Sequence, residues 1–271
     1  MILINNNKIN FTTFPNGETC VDGKQIKNIA TNINNVILKY NDDSDLIKLM
    51  FVKKYLDSLN KKSILSITYF PYSRMDRIEG DSVFTLKYVS NFINSLQFDK
   101  VIIYEPHSDV TSALLNNCIV KHMSVKLLRH AIMDVNFDKD IDYIYYPDAS
   151  AAKHFGKDLI FKSLTGLKQR DFVTGRIKKL DIAGELPTYK GFKAIMIDDL
   201  CSRGGTFMLG ANKLKELGAS NIYLVITHCE NSIFEGDILN TDIINKVYTT
   251  NSILDKTNKK IKILDILGGN K

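Results

Sequence analysis

Short apolar runs separated by amphipathic stretches set the first picture of this chain. Val36 to Tyr40, Ile64 to Phe70 and Val101 to Tyr104 have strand length and composition. Between them, Asp43 to Leu59 and Phe84 to Leu96 carry apolar residues at helical spacing, with Leu46, Ile47, Met50, Phe51 and Leu56 on one face of the first. Asp43 is the expected Asx N-cap of that helix. Strand and helix thus alternate, the rhythm of a parallel sheet with helical crossovers. The alternation resumes after about residue 120, with strands expected over Tyr143 to Tyr146, Leu159 to Ser163 and Ile222 to Thr227, and a helix from Ala149 to Gly156. Met1 to Asn5 is a short apolar start, and Asn16-Gly17 predicts a hairpin or tight loop. The pattern reads as an α/β protein of two units, 1–120 and 121–271, each a mostly parallel sheet flanked by helices.

Composition narrows the class. A chain of 271 residues, 44% hydrophobic and 24% charged, is ordinary globular material long enough for two domains. The net charge of +6 is spread without a dense block, which suits anionic small-molecule substrates and argues against a nucleic-acid partner. No apolar run approaches a membrane span and Met1 to Phe11 lacks a signal-peptide core, so no membrane partner and a cytoplasmic location are expected. Cys20, Cys118, Cys201 and Cys229 are scattered without metal spacing and read as reduced thiols.

The chemistry concentrates at expected strand ends. Ala194 to Ile197 is a buried-strand run, Asp198 and Asp199 stand where it ends, and Gly204-Gly205-Thr206 leads into a helix over Phe207 to Leu217 with Gly218 beyond it. A helix N-terminus presents free amides to a phosphate, and paired carboxylates accept hydrogen bonds from a vicinal diol or hold a divalent cation. Ribose 5-phosphate offers both groups; a polar strand end with an ordinary turn is the bland alternative. Neither a Walker A string nor Gly-x-Gly-x-x-Gly occurs. Tyr69 to Arg77 follows another strand and carries Arg74 and Arg77, forked donors for phosphate, although such a cluster also reads as a salt-bridged loop. Glu105-Pro-His-Ser-Asp109 and Tyr146-Pro-Asp-Ala-Ser150 place His107 and Asp148, both metal-capable, after strands and beside prolines. His122, His130, His154 and His228 read as structural. Lys168 and Arg170 stand at the root of a polar stretch, Lys168 to about Tyr189, that reads as a lid loop.

The Asp198 to Thr206 segment resembles the phosphoribosyl-diphosphate signature shared by type I phosphoribosyltransferases and ribose-phosphate pyrophosphokinases. Together with Phe14-Pro-Asn-Gly-Glu18, Tyr69 to Arg77, Glu105 to Asp109, Pro147-Asp148 and Lys168-Gln-Arg170, it is similar in order and rough spacing to the pyrophosphokinases. The resemblance implies two similar phosphoribosyltransferase-like (type I) domains, ATP bound by the first and ribose phosphate by the second. It implies transfer of the β,γ-diphosphate of ATP to the C1 hydroxyl of ribose 5-phosphate, releasing AMP and requiring Mg²⁺. By the same resemblance Arg74 and Arg77 hold ATP, while Phe14, Asn16 and Glu18 reach the adenine of a neighbouring subunit, so a homodimer or larger homo-oligomer is expected. His107 and Asp148 bind or position Mg²⁺, and Lys168 and Arg170 close over the transferring phosphates. Asp198, Asp199, Ser202, Arg203, Gly204, Gly205 and Thr206 hold the ribose phosphate.

The chain departs from the family where Ser202-Arg203 replaces the usual Asp-Thr, and again at Met75, Glu105 and Gln169. Arg203 adds positive charge beside the 5-phosphate, as a pocket for a diphosphate would, which makes ADP-ribose an alternative acceptor. A phosphoribosyltransferase and a non-catalytic associated subunit are the remaining readings.

Overall fold

The computed structural model describes residues 1–156, 161–170 and 177–267, with only the backbone at 169, 170, 177 and 178. Contacts divide the chain into two units, Met1–His122 joined by the described residues from Asp265, and Met123–Leu264.

In the first unit the elements run β1 (Ile2–Ile4), β2 (Asn7–Lys8), β3 (Phe11–Thr13), β4 (Thr19–Val21), α1 (Gly23–Ile29), β5 (Ile33–Leu38), α2 (Ser44–Ser58), β6 (Lys62–Ile67), α3 (Thr85–Ser95), β7 (Lys100–Tyr104), α4 (Asp109–Leu114) and β8 (Cys118–Lys121). Six strands form one sheet in the order β2-β1-β5-β6-β7-β8. β5 to β8 are mutually parallel and β1 is antiparallel to β5. Along β5 and β6 every second side chain is buried, and Val36, Leu38, Leu65 and Ile67 pack with Leu49, Val52 and Leu56 of α2. β3 and β4 form a separate antiparallel hairpin around Asn16-Gly17. Asp43 is the N-cap residue of α2 but does not cap it; its carboxylate accepts tyrosine hydroxyls instead, and Asp42 takes the Ser44 amide.

The second unit holds α5 (Ser124–Asp134), β9 (Tyr143–Tyr146), α6 (Ala149–Phe155), β10 (Ser163–Arg170), β11 (Ile177–Gly184), β12 (Lys193–Cys201), α7 (Gly205–Glu216), β13 (Asn221–Cys229), β14 (Lys246–Thr250) and β15 (Ile261–Leu264). Its seven-stranded sheet has the order β11-β10-β9-β12-β13-β14-β15, parallel except for β11. Here both faces are covered. Tyr145, Ala194 and Met196 pack with Phe207, Ala211 and Leu214 of α7, while Ile144, Tyr146, Ile195 and Ile197 face Leu127, Leu128 and Ala131 of α5. Continuous burial of Tyr143–Tyr146 explains why this run reads as apolar without alternation.

Two expectations are corrected. The strand expected at Leu159 to Ser163 instead occupies Ser163–Arg170, with 159 and 160 outside the described residues. The stretch expected as a lid loop is strand on either side of 171–176, with β10 and β11 paired antiparallel from Leu164↔Gly184 to Arg170↔Ile177, and 171–176 lie outside the described residues. Its period-2 pattern is weak because Gly166 fills a buried position. A Cβ there would lie 2.5 Å from the Tyr145 hydroxyl, so only glycine lets β10 pack over that ring.

Candidate active site

In the second sheet the chain leaves β9 toward β10 on one side, and leaves β12 toward β13 on the other. The carboxyl ends of neighbouring β9 and β12 therefore mark the point where strand order reverses, the place where open α/β sheets gather ligands. Asp148, two residues past β9, caps α6 by accepting the Ala151 amide at 3.0 Å. Its other oxygen accepts Lys168 Nζ from β10 at 2.8 Å. The Lys168 side chain is only 11% exposed, so β10 delivers a largely desolvated cation to the end of β9.

β12 runs on through the paired acids, and Asp198 Oδ1 accepts the Asp199 amide at 3.0 Å. Burial pushes the Asp198 carboxyl well above the usual carboxylate range, and the neighbouring charges of Asp199 and Asp148 push the same way. Burial also raises Asp148, but its bonds to Lys168 and to the Ala151 amide outweigh that and hold it below the usual range. Asp148, Lys168, Asp198 and Asp199 thus form one electrostatic group.

The loop after β12 turns at Gly204, whose φ of +82° and contact with Ile238, 2.1 Å from any added Cβ, both exclude a side chain. α7 then begins at Gly205, leaving its first amides, with Thr206, facing the strand ends. Ser202 donates its hydroxyl to Glu230, which also takes the Ser232 hydroxyl at 3.0 Å. Arg203 donates Nε and Nη2 to one oxygen of Glu235, at 3.1 and 2.7 Å. The cation that distinguishes this loop is therefore matched by an acid. Neither Glu230 nor Glu235 stands out in the sequence; their one signal is that Glu230 directly follows a strand, as the Asp148 segment does.

In the first unit the segment after β6 holds Arg74 and Arg77, both exposed. Arg77 Nε donates to Asp76 at 2.9 Å. Burial raises the Asp76 carboxyl, yet the Ser108 hydroxyl, Arg77 and His107 together hold it below its ordinary range. Buried Asp76 thus pairs with Arg77 within the arginine segment, and His107 of the loop after β7 lies near enough to act on its charge. Tyr72 adopts φ +61°, a strained region for an aromatic residue. Its hydroxyl and that of Tyr40 both donate to Asp43 Oδ1, the latter at 2.6 Å. His122, read as structural, pairs with fully buried Glu105 at 3.1 Å and is raised by that bond.

Phe14, Asn16 and Glu18 lie on the β3–β4 hairpin, where the Asn16 amide donates to Glu18 at 2.9 Å and Phe14 is 48% exposed. The hairpin and α2 border an open, largely apolar cleft of about 970 Å³ that includes Phe14, Glu18, Ile47, Phe51 and Tyr55. Of the expected site residues, the structure thus groups Asp148, Lys168, Asp198 and Asp199 beside the Ser202 to Thr206 loop, and brings Arg77 and His107 near Asp76 in the other unit. The Arg170 side chain lies outside the described residues.

Comparison with known proteins finds likenesses in sequence and fold. Residues 175–267 match the family model described as the phosphoribosyl synthetase-associated domain. The ribose-phosphate pyrophosphokinase of Hyphomonas neptunium is 25% identical over 239 residues, covering 84% of this chain and 74% of that one. That of Staphylococcus haemolyticus is 27% identical over 222 residues, covering 79% and 68%. The crystal structure of phosphoribosylpyrophosphate synthetase from Mycobacterium smegmatis superimposes with a TM-score of 0.69 at 17% identity, over 96% of this chain and 86% of that one. Over about four fifths of its length this chain is similar in sequence to ribose-phosphate pyrophosphokinases, and it shares the fold of a phosphoribosylpyrophosphate synthetase.

Proposed function

We propose that the chain transfers the β,γ-diphosphate of ATP to the C1 hydroxyl of ribose 5-phosphate, giving 5-phosphoribosyl 1-diphosphate and AMP. The observation that carries this reading is the switch-point group of Asp148, Lys168, Asp198 and Asp199 beside the Gly204 to Thr206 amides. A 5-phosphate suits the start of α7, and Asp198 and Asp199 suit the ribose diol. Residues 121–271 would form the ribose-phosphate domain and 1–120 the ATP domain, with Arg74 and Arg77 on the nucleotide's phosphates.

The donor set fits Mg²⁺. Asp148 and the paired Asp198 and Asp199 offer the hard oxygen donors that Mg²⁺ takes. Asp148, Asp198 and Asp199 would hold the ion in the second unit, and His107 is the metal-capable residue of the first. When bound, it would neutralise phosphate charge and polarise a phosphoryl oxygen. The chain's own part is positioning: sugar hydroxyl and phosphoryl centre must lie in line, and Lys168 and Arg170 must meet the charge that develops on the transferring group. Asp148 keeps Lys168 aimed until a phosphate competes for it.

The reading brings its family setting with it: a cytoplasmic enzyme of at least two subunits, with Phe14, Asn16 and Glu18 against the adenine of a neighbour. A second acceptor, ADP-ribose, is favoured by one observation. Arg203 is held at the mouth of the cradle on an exposed ion pair, from which the outer phosphate of a 5-diphosphate would draw it. The test is AMP release from ATP and Mg²⁺ with ribose 5-phosphate or with ADP-ribose. Ribose-dependent AMP supports the first reading and a strong preference for ADP-ribose the second. AMP without either sugar means hydrolysis, and no AMP at all favours a phosphoribosyltransferase or a non-catalytic subunit.

A further inference from the structure

Cys201 and Cys229 end two neighbouring parallel strands, β12 and β13, and are directly paired in register. Both are free thiols, both are buried, and both belong to the same side-chain cluster beneath α7. Adjacent strands run about 4.8 Å apart, within the roughly 4.4–6.8 Å Cα separation that a disulfide spans. The Cys201 thiol donates to the Ser202 carbonyl at 3.4 Å and the Cys229 thiol to the Glu230 carbonyl at 3.8 Å, so both sulfurs lie at the strand ends where the loop begins. Each is followed by a member of the phosphate-loop clasp: Ser202 after Cys201, and Glu230 after Cys229, joined by the Ser202–Glu230 hydrogen bond. The Glu230 amide donates to the Cys201 carbonyl at 2.8 Å, which extends the ladder to the loop itself.

We propose that Cys201 and Cys229 form a dithiol that closes to a disulfide across β12 and β13, a redox-addressable lock at the root of the phosphate loop. The co-reactant is hydrogen peroxide. One sulfur, as thiolate, displaces hydroxide from the peroxide and becomes a sulfenic acid. The second sulfur attacks it, forms the S–S bond and expels hydroxide. Two S–H bonds and one O–O bond break, one S–S bond forms, and two waters leave. Burial makes the reaction slow and selective for an oxidant small enough to enter, whereas exposed Cys20 lies in the other unit with Thr12, not a cysteine, as its in-register partner. The proposal does not depend on which sugar the site takes, since its readout is covalent.

The test treats the full chain with hydrogen peroxide, then denatures it, alkylates it with N-ethylmaleimide and measures mass. Of the four cysteines, the expected product loses two alkylation sites, and digestion recovers a Cys201–Cys229 peptide pair that dithiothreitol separates. Cys201→Ala and Cys229→Ala should each abolish that pair; if either fails to fold, the wild-type peptide map alone decides. Amide hydrogen exchange at Ser202 to Thr206 should slow in the linked protein and recover on reduction. Persistence of both thiols while Cys20 oxidises, or sulfinic acid at Cys201 or Cys229 in place of the link, overturns the disulfide. Unchanged exchange in linked protein overturns the lock.

Discussion

Replacing Lys168 with alanine separates its two tasks, because the structure makes it both a strut and a clamp. Its ammonium sits 2.8 Å from Asp148, with the lysine side chain 11% exposed and the aspartate 40% exposed. At an effective dielectric of about 20, unit charges about 4 Å apart attract by roughly 4 kcal/mol. Exposure of Asp148 screens part of that and desolvation of Lys168 cancels more, so the net loss lies between surface and buried pairs, at about 1–2 kcal/mol. The variant also strands Asp148 beside Asp198 and Asp199, so burial rather than Lys168 then governs its ionisation. In the wild type the Asp148 carboxyl is held below its ordinary range. Its contribution to stability is therefore full above the unfolded pKa and is lost as pH falls through the folded one. Wild type and variant should differ most in urea midpoint near neutral pH, and the gap should narrow as pH falls below about 4, through the lowered Asp148 value. Mg²⁺ should raise the midpoint of the variant more than that of the wild type, since Lys168 no longer competes for Asp148. Turnover to AMP should drop about 10²–10³-fold, the cost of removing one preorganised donor from developing charge. Near-native turnover together with an unchanged, pH-independent midpoint would refute both roles.

Three further substitutions probe the supports of the site. Asp43→Asn weakens the acceptor shared by Tyr40 and Tyr72 and so loosens the turn before Arg74; initial rates should show KM for ATP raised and KM for ribose 5-phosphate unmoved, and equal changes in both would defeat the idea. Gly204→Ala meets a left-handed backbone and Ile238 at once; it should cost at least about 1–2 kcal/mol in urea unfolding and abolish saturation by ribose 5-phosphate, and adding Ile238→Ala should recover only the steric part. Gly210→Ala places a Cβ 2.8 Å from Tyr145 and 2.9 Å from Met196; overpacking of about 1–3 kcal/mol should outweigh a helix-propensity gain of about 1 kcal/mol, so a higher Tm would contradict the packing.

What the sequence discloses depends on how local the cause is. Continuous apolar runs such as Tyr143–Tyr146 and Ala194 to Ile197 announce strands because both faces of that sheet are covered, and the acids after them are legible because they break the runs abruptly. The β10–β11 pairing is hidden because its buried position is a glycine set by Tyr145, a residue 21 positions earlier in the chain. The same reason conceals the clasp on the phosphate loop. Ser202 and Arg203 look like a change from acid to cation when read along the chain, yet Glu230 and Glu235 supply the missing carboxylates from beyond the next strand. A substituted signature therefore does not by itself report the charge of a cradle. Here the acid next to Ser202 sits on an adjacent strand end, about as near the cradle as a loop aspartate would be, while the Arg203 guanidinium is available only to a ligand able to outcompete Glu235. That competition favours an acceptor with more than one phosphate, because a 5-monophosphate can be held by the α7 amides without disturbing the pair. The relative rates with ribose 5-phosphate and ADP-ribose in Glu235→Gln decide the point. Releasing Arg203 should improve KM for ADP-ribose, which no longer has to displace Glu235, and leave KM for ribose 5-phosphate nearly unmoved if the pair is the discriminator, and should move neither if it is only a surface contact.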